Sequence, residues 1–174
     1  GWDTFGPERE VTSSDGNKLF EIDHKNALEL YIKYLGPDAD QLPGSALLFP
    51  LSIITPDSNQ PVVRTILSID KEQQSMTFAG DIPVGSKVRF MKANFDKLTS
   101  AASKAAQQTL LDKEEKPGFS LLVSCVGRKL ILGNRIDEEV EAVIEYLGEK
   151  TAVAGFYSYG EISPFNEGGD CRLH

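Results

Sequence analysis

Apolar positions recur along this chain with two periods, about 3.6 and about 2, and these place its elements. Leu28, Tyr31, Ile32 and Leu35 stand at helical spacing, which predicts a helix over 24–35, capped by Asp23 and ended by Gly36-Pro37. Phe95, Leu98, Ala102, Ala105, Ala106 and Thr109 share one face of a longer helix over 95–111, with Asn94 as its cap. The small alanines allow a neighbouring element to pack closely. Val140, Val143, Ile144 and Leu147 form a third helical stripe over 137–147. Asp137-Glu138-Glu139 sets negative charge at the positive end of that helix, and Gly148 stops it.

Strand signals fill the rest. Val11 to Phe20 reads as a hairpin with Asp15-Gly16 at its turn. The run 46–54 is nearly all apolar and predicts a central strand buried on both faces; 119–126 reads the same way. Val62 to Ile69, the pair Met76 and Phe78, and Val88 with Phe90 give three further strands, joined by connections short enough for an antiparallel meander. Thr151 to Tyr157 is the last clear strand, and the tail from Ser163 reads as loop. The polar stretch 112–118 is expected to be a solvated hinge, and no tandem repeat is evident. The fold class expected is α+β: one domain over 1–174, with a mixed, mainly antiparallel sheet and about three packed helices.

Composition narrows the function. The 174 residues carry 18 basic and 26 acidic side chains, a net charge of −8. Such a chain repels phosphates on average, so neither nucleic acid nor an anionic membrane surface is expected as a partner. No apolar run approaches the roughly 18 residues of a spanning helix, so a soluble protein is expected. Two cysteines far apart in sequence fit a reducing cytosol better than secretion and make a structural zinc site improbable. An opening glycine in place of methionine suggests a piece of a longer protein.

Ready-made catalytic motifs are missing. The chain has no phosphate-binding G-x-x-x-x-G-K-[ST] loop, no G-x-G-x-x-G, no H-E-x-x-H and no G-x-S-x-G. With only His24 and His174, a multi-histidine metal centre cannot be assembled. Four features retain chemical interest. Ser124-Cys125-Val126-Gly127-Arg128 sets a thiol and a guanidinium past an apolar strand, either as a reactive or ligand-facing thiolate or as a buried small hydrophobe beside a solvated arginine. Gly155 to Ile162 brackets Phe156, Tyr157 and Tyr159 with glycines and adds Glu161, which suits a small-molecule pocket or plain core filling. Arg64, mid-strand among apolar residues, either grips an anionic ligand or pairs with an acid or water. His174 could ligate a metal or haem iron, but a terminal residue is ordinarily frayed.

Several stretches resemble the C-terminal domain of the FIST family. They include Gly1-Trp2 with Phe5 to Thr12, Asn26 to Tyr31 with Tyr34-Leu35-Gly36, Val63 to Leu67, and Phe78 to Gly85. They continue with Ser124 to Arg128 and, most specifically, Ala154-Gly155-Phe156-Tyr157-Ser158-Tyr159-Gly160-Glu161-Ile162. Cys171-Arg172-Leu173-His174 is similar to the start of the family's closing motif, which normally runs on into another strand. The resemblance implies a sensory domain of a signalling protein, preceded by a FIST N-terminal partner and linked to output modules such as kinase, cyclase or methyl-accepting domains. It implies small ligands such as amino acids, with haem and nitric oxide sensing in some members and F-box pairing in eukaryotes.

From these strands of argument we expect a non-enzymatic, cytoplasmic, small-ligand-binding sensor without cofactor or metal. The alternatives are an enzyme with Cys125 as nucleophile and a scaffolding domain without ligand. The expected ligand-binding residues are Arg64, Cys125, Arg128, Tyr157, Tyr159 and Glu161, with Glu161 and an arginine gripping the two ends of a zwitterion. Tight haem binding by this chain is not expected, since neither histidine promises an ordered axial ligand.

Overall fold

A computed structural model describes residues 1–110, 115–160, 162–164 and 171–173. Glu161, His174 and part of the expected 112–118 hinge lie outside the described residues. The chain forms two compact units, one of residues 3–92 with 162–174, the other of residues 1–2 with 93–161.

The first unit is built on a sheet of eight strands. These are β1 (Trp2–Asp15), β2 (Lys18–Ile22), β3 (Lys25–Asn26), β4 (Leu51–Ile54), β5 (Val62–Arg64), β6 (Ile66–Asp70), β7 (Ser75–Phe78) and β8 (Lys87–Ala93). Their order is β5-β4-β8-β1-β2-β7-β6, with β3 paired to β2, and the registered pairs are antiparallel. The β1–β2 hairpin turns at Gly16-Asn17, where Gly16 takes φ of 53° and Asp15 pairs with Lys18.

Helix α1 (Ala27–Leu35) lays Leu28, Tyr31 and Leu35 into the core made by Leu19, Ile22, Ile53, Phe78, Val88 and Phe90. Tyr31 is fully buried, and its hydroxyl donates to the Phe49 carbonyl at 2.9 Å. Short strands β11 (Ile162–Pro164) and β12 (Cys171–Leu173) pair antiparallel with each other.

Three expectations are corrected in this unit. The helix starts at Ala27, not residue 24, and its cap is Asn26, whose side chain accepts from the Glu29 amide at 2.9 Å. Asp23 and His24 instead form a turn at positive φ, with Asp23 engaged elsewhere. The run 46–54 is not one strand. Residues Gly44–Leu48 wind into a 3₁₀ turn, and the strand begins only after Pro50, with Leu51 and Ile53 buried and Ser52 and Ile54 half-buried. Proline, lacking an amide donor, marks that break. It is nonetheless an interior strand, held between β5 and β8. The stretch 62–69 is likewise two strands, interrupted at Thr65.

The second unit holds α2 (Phe95–Thr109), β9 (Phe119–Cys125), α3 (Val126–Leu132), α4 (Ile136–Leu147) and β10 (Ala152–Ser158). Asn94 caps α2 by accepting from the Lys97 amide at 3.0 Å, as its sequence predicts. Ala102, Ala106 and Leu110 of the α2 segment pack with Val143, Tyr146 and Leu147, and Leu122 and Val153 join from the strands. Strands β9 and β10 are neighbours, as their sequences lead one to expect, but they pair in parallel as a two-stranded sheet.

Their burial departs from expectation. Only one face of β9 is covered, and Phe119, Leu121 and Val123 on the other are 59%, 58% and 46% exposed. Its near-continuous apolar sequence therefore does not mark a strand sheltered on both sides. Helix α3 has no apolar stripe long enough to announce it; the Cys125 side chain starts it by accepting from the Gly127 amide at 3.3 Å.

Candidate functional site

The most developed concavity belongs to the first unit, where three segments remote in sequence meet. β1 contributes Arg9, β3 contributes Lys25 and Asn26, and successive turns of α1 contribute Glu29 with Leu30 and Lys33 with Tyr34. Helical spacing places 29, 30, 33 and 34 on one side of α1, while Leu28, Tyr31 and Leu35 hold the opposite side in the core. The cavity measures about 540 Å³ and is open to solvent, within the range of small-ligand sites.

Its electrostatics are lopsided. Three cations, Arg9, Lys25 and Lys33, face one carboxylate, Glu29. Arg9 is held rigidly: Nη1 donates to Asp23 Oδ2 at 2.7 Å and Nη2 to the Tyr34 hydroxyl at 2.8 Å. Both partners favour the charged guanidinium and raise its pKa, Tyr34 most strongly. The Tyr34 ring lies below it, 5.6 Å from the guanidinium carbon, and is itself stacked on Phe90 at 4.5 Å. Arg9 Nε is buried and has no partner among the described residues. The arrangement offers a fixed positive wall, two mobile ammonium groups and one acceptor carboxylate. Chemically it suits a small anion or a zwitterion.

The residues expected from sequence to bind ligand fall in different places. Arg64 ends β5 in the first unit and lies over the Gly80-Asp81 turn, its Nε donating to the Asp81 carbonyl at 3.4 Å. Gly80 has φ of 121°, and a Cβ there would meet Arg64 Nε at 2.9 Å, so glycine makes room for the guanidinium. Cys125, Arg128, Tyr157 and Tyr159 belong to the second unit. There, the parallel register pairs Cys125 with Ser158 and Ser124 with Tyr157, so the carboxyl ends of both strands do converge.

Arg128 points inward. Its Nε is ion-paired with Glu139, its Nη2 donates to the Leu98 carbonyl at 2.7 Å, and Ser124 Oγ donates to both Glu139 oxygens at 3.3 Å. Glu139 is buried at 5% exposure. Tyr157 is half-buried, with Lys129 Nζ 5.0 Å from its ring centre, and its hydroxyl pKa is raised by burial and by the nearby Glu139 charge. Tyr159 is 93% exposed. The Cys125 thiol is exposed, and its hydrogen-bond partner among the described residues is the Gly127 amide rather than a base. No cluster of three or more metal-ligating side chains occurs among the described residues. None of their helices is long and apolar enough to cross a membrane.

Sequence reasoning missed Arg9, Lys25, Glu29 and Lys33 as a group. The one local signal was the charged side of α1, Glu29 and Lys33 at i and i+4, which by itself reads as an ordinary solvated helix face.

Comparison with known proteins gives a family match. The model of the FIST C domain matches residues 27–164, well over half of the chain. No curated protein and no solved structure matches it.

Proposed function

Since the chain belongs to the FIST C domain family, which is associated with signal-transduction proteins and regarded as sensory, we propose that it is a non-enzymatic sensor of a small anionic or zwitterionic metabolite, such as an amino acid. The observation that carries this reading is the cavity between Arg9 of β1, Lys25 of β3 and the exposed side of α1. The cations take the carboxylate of the ligand, and Glu29 takes an ammonium group. Arg9 is fixed by Asp23 and Tyr34 before any ligand arrives, which limits the ordering cost of binding. In the longer signalling protein, the ligand signal would pass to a FIST N-terminal partner and to output modules in the cytoplasm.

A second location is favoured by one observation. Cys125, Tyr157 and Tyr159 gather at the carboxyl ends of a parallel strand pair, where α/β proteins commonly bind ligands. Arg64 and Glu161 remain with this second reading, as do a scaffolding role without ligand and an enzymatic role for Cys125.

Thermal-shift screening against amino acids and small carboxylates tests the proposal, because a ligand of the native state raises its melting temperature. A rise of several degrees is expected with at least one compound at saturation. Lys33→Ala should then weaken binding of that compound about tenfold or more, while Tyr159→Ala leaves it unchanged. The reverse pattern moves the site to the strand ends. A flat screen across the whole panel refutes the sensor reading.

A further inference from the structure

The parallel pair β9–β10 is finished on one face only. Its inner face contributes Leu122 and Val153 to the cluster around Ala106, Val143 and Leu147. The register places Phe119, Leu121 and Val123 on the other face beside Ala152, Ala154 and Phe156. Phe156 is 57% exposed, and both alanines are exposed as well. Parallel sheets are otherwise almost always covered on both faces. Together these six side chains put about 500 Å² of apolar surface in water, near the upper end of the largest patch that monomers carry.

We infer that this face docks on the same face of a second copy of the chain, about a two-fold axis, as two stacked sheets. Charge argues for the copy. The chain carries a net charge of −8, so two copies repel each other over most of their surface. The aligned positions 119, 121, 123 and 125 of β9 and 152, 154, 156 and 158 of β10 contain no charged residue. A self-complementary apolar patch needs no opposite partner charge, whereas an acidic or basic partner would find nothing here to pair with. Area argues for it too. The face counted once from each copy gives about 1,000 Å², the lower bound for a specific interface. The dimer is accordingly weak, with a dissociation constant on the order of 10 μM.

Sedimentation equilibrium of the 174-residue chain between about 1 and 300 μM is the test. A monomer–dimer equilibrium is expected. Leu121→Glu buries a carboxylate twice per dimer and should raise the dissociation constant at least 100-fold. Leu67→Glu, at an exposed apolar position of β6 that is 61% exposed, should leave it unchanged. Should Leu121→Glu lose its far-UV circular dichroism, iodoacetamide labelling of wild-type Cys125 replaces it. Cys125 lies at the end of this face, and its labelling rate should fall severalfold from the dilute to the concentrated limit. A wild type that stays monomeric to 300 μM overturns the inference. So does a dimer that survives Leu121→Glu, a labelling rate independent of concentration, or a chain that associates only with a different protein.

Discussion

Asp23 shows how one side chain can be taken from an expected role and given another. Its carboxylate accepts from the Glu10 amide at 2.9 Å and from Arg9 at 2.7 Å, and so ties β1 to the turn before α1. The Glu10 amide first, and the Arg9 guanidinium after it, hold its pKa below the ordinary carboxylate range. Between the lowered folded value and the unfolded value of about 3.9, the unfolded chain binds the proton more readily. The contribution is therefore complete above about pH 4 to 5 and is lost as the pH falls through the folded value. Asp23→Asn should cost about 1 kcal/mol near neutrality, a modest figure because the pair is partly exposed to water. Urea titrations between pH 2.5 and 7 should show a shallower acid limb for the variant; an unchanged limb would assign the acid sensitivity to other groups. The sequence offered Asp23 as a helix cap, a fair reading of a turn-forming residue before an apolar stripe. The competition was decided by Arg9, fourteen residues earlier, and no local pattern records such a partner.

At the scale of elements, Glu139 is the junction of the second unit. It receives Arg128 of α3 and Ser124 of β9, while Arg128 reaches on to the Leu98 carbonyl of α2. Four elements are thus joined through one buried carboxylate. Breaking such a pair from one side strands the other charge in a poorly solvated place, at a cost of about 3 kcal/mol, whereas replacing both with apolar residues can be nearly neutral. Glu139→Gln alone should destabilise the unit by roughly that amount. Adding Arg128→Met to Glu139→Leu should recover most of the loss, as read by a double-mutant cycle in urea. Additive penalties would show the pair to be uncoupled. From sequence, Asp137-Glu138-Glu139 looked like three helix-opening acids. The signal that singled out the third was present: residues 139, 143 and 147 lie on one helical face and are all buried. It was hidden because charge at a helix start already has a sufficient explanation.

Across the whole molecule, the two units differ in the cores behind their strands. The first unit buries a large cluster including Leu19, Leu51, Ile53, Met76, Phe78 and Phe90; the second has a small one around Ala106, Val143 and Leu147. Hydrogen exchange at sub-micromolar protein should find the amides of β2, β4 and β8 slowest and those of β9 and β10 at least tenfold faster. Equal protection would mean that the smaller cluster is as hard to open as the larger. Periodicity made the hairpin, α2, α4 and the adjacency of β9 and β10 legible. It did not reveal the cavity, whose walls come from positions 9, 25 and 29–34 and meet only through strand pairing. Nor could it tell a strand covered by its own chain from one left open, since both read as the same apolar run. The break at Thr65 has a further meaning at this scale. β5 and β6 are the first and last strands in the order of the sheet, yet a single residue joins them. Because consecutive Cα atoms are about 3.8 Å apart, the two ends of the strand path must curl round to meet at that point. Thr65 is a clasp on a bracelet: neither rim can be unzipped without pulling on the other, so the sheet yields all together or not at all.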